Sequence, residues 1–471
     1  MQMLQKSYMK KTETFHTTMQ KQRFSFSAGL AVFILLLQAV FMPAGHTQSA
    51  KAPRPNIVIF YVDDLGYGDV GAYGGNAVQT PFLDSLSKSG ILFTDAHSTA
   101  ATCTPSRYSL LTGEYAFRNN AAILPGDAPL IISEKKPTLP AMLKKAGYNT
   151  AVVGKWHLGL GDGQVNWNGS IKPGPLEIGF NYSFLLPATG DRVPTVYLEN
   201  HQVVNADPKD PITVSYTKKL DGYPNGLDHP ELLRQKADTQ HSNTIVNGVS
   251  RIGYMSGGKA ALWKDEDFPT VFSGKAKDFI TRNKEKPFFL FFSFHDIHVP
   301  RIPSQPFAGK SPMGPRGDAI TQMDWTTQQV VAHLKALNLL DNTLIIFTSD
   351  NGPVLNDGYE DLSEKLVGSH KPGGPFRGGK YSAFEAGTRV PMIVAWNGKI
   401  TPQRSDALIN QVDIYRSIAS LLELSLDENE AIDSEDHCKA LLGKSKQART
   451  WMLEESYSLS ARKNNWKYIA P

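Results

Sequence analysis

The chain has 471 residues, enough for one large domain or for a large domain with a smaller one beside it. It is 41% hydrophobic and 20% charged with no low-complexity tract, which excludes a disordered or fibrous protein. A net charge of +4 is too small to argue for a nucleic-acid partner, and two cysteines, Cys103 and Cys438, make no disulfide framework, although spacing alone leaves their pairing with each other open.

Residues 1–50 have the order of a signal peptide. Lys21 and Arg23 stand before the apolar run Ala28–Met42, and "PAGHTQSA" follows it. The run is short for a membrane span, which needs ~20 apolar residues. The expectation is a leader and a periplasmic or secreted protein; an uncleaved anchor is the alternative.

From residue 51 the pattern is strand, then helix, repeated. "NIVIFYV" (56–62) is a short apolar run rich in β-branched residues, as a buried parallel strand should be. "TPFLDSLSKSG" has Thr80 as a cap, Pro81 at the first helical position and Gly90 as the stop. Pro105 suits the first turn of another helix, which puts Cys103 near its N-terminus. "TLPAMLKKAG" starts at Thr138 and stops at Gly147. "TAVVG" (150–154) is a second strand, "PFFLFFSF" (287–294) a third and "TLIIFTS" (343–349) a fourth, with a helix over "TQMDWTTQQVVAHLKALNLL" before the last. These predict an α/β sandwich with a mostly parallel central sheet. Residues 160–260 are rich in Gly, Pro and Asn and predict long loops. The rhythm fades after about residue 400, which sets a core domain over 51–400 and a small C-terminal subdomain over 401–471.

Each strand is followed by polar residues: Asp63 and Asp64; Lys155 and His157; His295, Asp296 and His298; Asp350 and Asn351. One such pair is usually a turn or a solvated end. Four together are a site, because ligands of open α/β sheets bind beyond the carboxyl ends of the strands. Asp63, Asp64, Asp350 and Asn351 are oxygen donors, suited to a hard cation, Ca²⁺ or else Mg²⁺, rather than zinc. Lys155, His157, His298, Lys380 and Arg107 supply the opposite sign, so the setting fits a tetrahedral oxyanion such as sulfate or phosphate. At a helix N-terminus Cys103 could also serve as a thiolate nucleophile.

"CTPSR" (103–107), continued by "YSLLTGEY", resembles the Cys-x-Pro-Ser-Arg signature of the type I sulfatases. So do "NIVIFYVDDLGYGDVGAYG", "GKWHLG", "FTSDNGP" and "RGGKYSAFEAGTRVP", in the order of the arylsulfatase A-like branch of the alkaline phosphatase superfamily. The resemblance implies an alkaline-phosphatase-like fold and a sulfuric ester hydrolase. It implies that Cys103 is oxidised to formylglycine by a formylglycine-generating or radical sulfatase-maturating enzyme, and that a hydroxyl of the hydrated aldehyde is the nucleophile. Asp63, Asp64, Asp350, Asn351 and the modified Cys103 would bind the metal. Arg107 would hold the diol, Lys155 and Lys380 the sulfate oxygens, with Thr189 where members often have a serine. His157 would take a proton from the diol as sulfate leaves, and His298 would lie against the leaving-group oxygen. Members of the family often continue past the position of "KNNWKYIAP", so the terminal subdomain is expected to be incomplete.

Two other readings stay open: a phosphodiester or phosphonate monoester hydrolase of the same superfamily, and a non-catalytic sulfoglycan-binding protein if Cys103 is unmodified. The expected substrate is a sulfated carbohydrate, with aryl sulfates the small-molecule alternative; no nucleic acid is expected, and the oligomeric state is not legible. Asp191, Arg192, Tyr197, Glu199 and Asn200 in "GDRVPTVYLENHQVV", and His370, Lys371 and Arg377 near Lys380, are the loop residues suited to sugar contacts. "VNGVSRIGYMSGGKAALW" resembles a stretch of bacterial sulfatases that act on sulfated glycans.

Overall fold

Ten strands build the central sheet of the structure, a computed structural model that describes residues 53–471; the leader expected over 1–50 lies outside the described residues. In chain order they are β1 (Asn56–Val62), β2 (Ile91–Phe93), β3 (Asn149–Lys155), β4 (Tyr182–Leu186), β5 (Leu198–Glu199), β6 (Gln202–Val203), β7 (Phe288–Ser293), β8 (Thr343–Ser349), β9 (Met392–Ala395) and β10 (Gln403–Ser405). Their spatial order is β10-β2-β9-β8-β1-β7-β3-β4-β5-β6. The five central strands from β8 to β4 run parallel. β9 is antiparallel to both β8 and β2, and β5 and β6 turn back antiparallel at the other edge.

The apolar runs explain the layering. Along β1, Ile57, Ile59 and Tyr61 enter one hydrophobic layer, while Val58, Phe60 and Val62 enter the other. Because successive side chains point to opposite faces, a strand covered on both is apolar along most of its length. Helices α2 (Cys103–Thr112), α3 (Leu139–Lys145) and α6 (Ile414–Leu421) cover the Ile57 face with Tyr108, Leu111, Leu139, Leu143 and Ile418. Helices α1 (Pro81–Ser89), α4 (Phe268–Arg282) and α5 (Gly314–Ala336) cover the other with Leu83, Phe272, Phe279, Met323 and Leu334.

The N-cap of α3 is as the sequence predicts: the Thr138 hydroxyl accepts from Ala141 N–H at 3.2 Å. The cap of α1 is not. The Thr80 hydroxyl accepts instead from Gly71 N–H at 2.9 Å, and the free N–H groups of Phe82 and Leu83 donate to the Asp324 carboxylate of α5 at 3.0 and 2.8 Å. Asp324→Ala should therefore lower stability by about 1–2 kcal/mol in urea unfolding, the usual worth of a lost cap. An unchanged midpoint would show that these two bonds contribute nothing.

Three antiparallel strands form a small C-terminal sheet: β11 (Trp451–Glu455), β12 (Leu459–Lys463) and β13 (Trp466–Ile469). It braces the approach to α2. Glu455 N–H donates to the Thr99 carbonyl at 2.9 Å, and Ala101 N–H donates to the Glu455 carbonyl at 2.8 Å. Behind this contact, buried His97 meets Glu454 at 3.1 Å and Asp95 at 2.9 Å, and Lys467 meets Glu454 at 2.8 Å. His97 thus belongs to a structural ion network. Cys103 and Cys438 are not joined in a disulfide. No helix among the described residues is long and apolar enough to cross a membrane.

Candidate active site

The carboxyl ends of β1, β3, β7 and β8 meet at one rim, and the N-terminus of α2 delivers Cys103 to it. Asp63, Asp64, Cys103 and Asp350 each offer a ligand atom, all within 4.8 Å of one another, and all four side chains are buried. The Cys103 Sγ lies 3.5 Å from Asp63 Oδ1. Asn351 donates its amide to Asp64 at 2.7 Å, which leaves its Oδ1 buried without a partner. Three carboxylates and an orphaned amide oxygen fit a hard dication, to which the sulfur of an unmodified Cys103 would add nothing. No side chain present satisfies that amide oxygen.

The backbone bends to build this cluster. Asp64, His157, Ile297 and Tyr381 are non-glycine residues in the left-handed region, with φ of 61°, 56°, 83° and 68°. Such conformations cost of order 1 kcal/mol or more each and collect at functional sites. Gly154, at φ 112°, is required for a different reason: a Cβ there would stand 1.8 Å from the Ser293 carbonyl oxygen, so only glycine lets β3 run against β7 and present Lys155.

Cationic side chains face the acids. Lys155 Nζ binds Asp63. Lys380 Nζ donates to Asp64 at 3.0 Å and to Asp357 at 2.8 Å. Arg107, one helical turn beyond Cys103, binds Asp350 with two nitrogens at 3.0 and 2.7 Å and also holds Ser293 and the Lys155 carbonyl. Burial pushes the Asp63 carboxyl up, but Lys155 and Arg107 more than offset this and hold it at about 2. Burial and Asp63 push Asp350 up to about 7. Three carboxylates this close resist joint ionisation, which is the electrostatic mark of a cation site. Burial, followed by Asp63, also raises the Cys103 thiol well above its usual value.

Both histidines of the expected machinery are buried, and burial, with Lys155 among the nearby charges, holds each imidazole well below its usual value. His157 Nε2–H donates to the Leu124 carbonyl at 2.9 Å, and its Nδ1 is buried with no partner. His298 Nδ1–H donates to the Val299 carbonyl at 2.6 Å, and its Nε2 lies 4.0 Å from Asp64. Cys103, His157, His298 and Lys380 line one cavity of ≈ 70 Å³.

Sequence reasoning missed several walls of this cavity. Asp357, Tyr381, Gln240 and His241 line it as well. Asp357 sits in "NDG", which has the grammar of a turn, and His241 in a polar loop; neither carries a local signal. Thr189 does not line it: its hydroxyl donates to Asp191, and Asp191 and Arg192 reach the cavity instead. Tyr197 packs among Phe184, Trp263, Phe268 and Phe272, Glu199 pairs with Lys275 at 2.9 Å, and Asn200 turns the β5–β6 hairpin at φ 53°; these three are structural. His370 is tied to Asp69 at 2.9 Å, while Lys371 and Arg377 are exposed.

The sulfatase family model matches residues 55–424. The N-acetylgalactosamine-6-O-sulfatase of Bacteroides thetaiotaomicron is 50% identical over 442 residues, 93% of this chain and 86% of that protein. Human arylsulfatase A is 32% identical over 406 residues, 85% of this chain and 70% of that protein. A solved structure described under the metabolism of multiple glycosaminoglycans by Bacteroides thetaiotaomicron superposes with a TM-score of 0.88 at 50% identity, covering 89% of this chain and 88% of that one. The chain belongs to the sulfatase family of the alkaline phosphatase superfamily and is a sulfuric ester hydrolase.

Proposed function

We propose that the protein is an exported sulfatase that removes the 6-O-sulfate of a galactosamine-type sugar in a glycosaminoglycan fragment, using formylglycine made from Cys103 and a divalent cation, Ca²⁺ before Mg²⁺. The observation that carries the chemistry is the buried cluster of Asp63, Asp64, Cys103 and Asp350 at the N-terminus of α2. The 50% identity across 93% of the chain supports the choice of sugar. Export rests on the order of charges and apolar residues in 1–50.

Asp63, Asp64, Asp350 and Asn351 would hold a dication, which would supply positive charge to stabilise the sulfate oxygens. Lys155 and Lys380 neutralise the same charge from either side. Hydrated formylglycine at position 103 presents two hydroxyls. One would attack sulfur as its own proton passes to a rim carboxylate such as Asp350; the S–O bond to the sugar would break, and the alcohol would depart with a proton from His298 Nε2. His157 then takes the proton of the second hydroxyl on its free Nδ1; the aldehyde re-forms, sulfate leaves, and water hydrates the aldehyde again. The anionic ester opposes the lysines that depress His298, which is the condition for its Nε2 to carry a proton.

The test is a panel of sulfated sugars, an aryl sulfate and an aryl phosphodiester, with the sugar 6-sulfate expected to turn over fastest. Faster turnover of the phosphodiester would favour the phosphodiester or phosphonate hydrolase reading. General acid help matters most for a basic leaving group, so His298→Ala should cost about 10²–10⁴-fold on a sugar sulfate and far less on nitrophenyl sulfate. Equal losses would mean that His298 only binds.

A further inference from the structure

The cavity around Cys103 has a volume of ≈ 70 Å³. A water needs about 10–15 Å³ of such space, so there is room for a sulfate group but not also for the hexosamine that carries it. The sugar and any chain attached to it must lie outside, along walls that continue to the surface. Tyr381 is one such wall: it lines the cavity, is half-buried, and its hydroxyl donates to Asp357 at 3.2 Å. The ring of Tyr457 continues that wall. The two rings are near parallel, at 18°, with centroids 6.2 Å apart. Tyr457 is 85% exposed, more than any other large apolar side chain among the described residues.

Single apolar side chains on a surface are ordinary. This one differs in how firmly its backbone is held. Tyr457 is the middle residue of the turn between β11 and β12, which Ser456 N–H closes by donating to the Ser458 carbonyl at 2.9 Å. The Ser456 hydroxyl donates to the Tyr381 carbonyl at 2.6 Å, and Tyr381 N–H donates to the Ala101 carbonyl at 2.9 Å. Ala101 lies two residues before Cys103, and its own N–H donates to Glu455 in β11 at 2.8 Å. A closed circuit of backbone bonds thus fixes an exposed aromatic ring relative to the position of the nucleophile. At 85% exposure that ring adds almost nothing to the core.

We infer that Tyr457 is a stacking platform for the sugar joined to the sulfated one, an inference that rests on the proposed glycosaminoglycan substrate. The faces of a pyranose ring are made of C–H bonds, weakly positive, and the face of an aromatic ring is negative. Stacking takes both faces out of water while the hydroxyls around the sugar's edge stay solvated. A tyrosine is suited to this because it offers a large rigid face at a low cost in side-chain entropy. Such a contact reads the ring face and not its substituents, so the subsite selects chain length rather than sulfation pattern.

The test compares kcat and KM of wild-type enzyme, Tyr457→Ala and Tyr457→Trp on 6-sulfated N-acetylgalactosamine, a glycosaminoglycan tetrasaccharide that contains it, and nitrophenyl sulfate. Wild-type enzyme should prefer the tetrasaccharide over the monosaccharide by about 10-fold in kcat/KM, the upper worth of an aromatic stack. The preference should lie in KM, because the contact is the same in the ground and transition states. Tyr457→Ala should lose it, with the loss confined to the tetrasaccharide, and Tyr457→Trp should keep it. An undiminished preference in Tyr457→Ala would overturn the platform. So would equal losses on all three substrates, since Tyr457 would then act through Tyr381 and the hairpin. If wild-type enzyme turns over the monosaccharide as well as the tetrasaccharide, the carbohydrate reading stands and the platform alone fails. If it turns over nitrophenyl sulfate and neither sugar, the carbohydrate reading itself fails and the platform falls with it.

Discussion

Cys103→Ala should fold with an unchanged near-UV spectrum and lose activity by on the order of 10⁴–10⁶-fold, the range seen when a nucleophile is deleted. The side chain is small, and removing it leaves the sheet and the layers on both faces intact. What disappears is the one atom that stands both beside Asp63 and at the mouth of the helix. Cys103→Ser separates nucleophile from aldehyde. Unmodified, its hydroxyl could attack sulfur, but a sulfated serine has no second hydroxyl from which His157 could draw a proton to expel sulfate. A single burst equal to the enzyme concentration, followed by arrest, is expected. Continued turnover by a serine verified as unmodified would refute the diol mechanism.

Chelation should abolish activity, and Ca²⁺ should restore it. The acids at the rim are too crowded to be jointly ionised without help; burial and Asp63 already drive Asp350 up to about 7. A ligand that binds only the folded protein stabilises it by about 2.7 kcal/mol at a hundredfold excess over Kd. Wild-type protein should therefore show a Ca²⁺-dependent rise in Tm, and Asp350→Ala should lose both that rise and activity. Because Arg107 loses its partner in this variant, its basal Tm should fall as well. The diagnostic quantity is thus the Ca²⁺-induced shift in each protein. Full activity in chelated, metal-free buffer would end the cation assignment.

The parts of the fold legible in the sequence were those with a repeating physical demand. β1 and β8 were legible from their apolar centres, Ile57–Val62 and Leu344–Phe347, because burial on both faces favours apolar side chains there, while the polar residues sit at the strand ends. The same demand hides direction. β9 is as apolar as its parallel neighbours, so nothing in "MIVA" reveals that it runs antiparallel. At the rim, Asp63, Asp64, Lys155, Asp350 and Asn351 were legible because they directly follow strands. Asp357, His241 and Tyr381 were not: long loops carry them into the cavity, and a loop has no period to read. For the same reason Tyr197 and Glu199, which have the chemistry of sugar contacts, turn out to serve the core and an ion pair. The bracing of α2 by β11 was hidden too, since its bonds run through backbone groups of Thr99, Ala101 and Glu455, which every residue type supplies.

The central claim is that Cys103 is a precursor rather than a working thiol. Trypsin should release it in the peptide from Ser89 to Arg107, and the mass of that peptide from fully active enzyme decides the matter. Formylglycine predicts a mass lowered by the exchange of a thiol for a carbonyl, together with reactivity toward a hydrazide probe. A fully active preparation whose peptide carries only the intact thiol would contradict it.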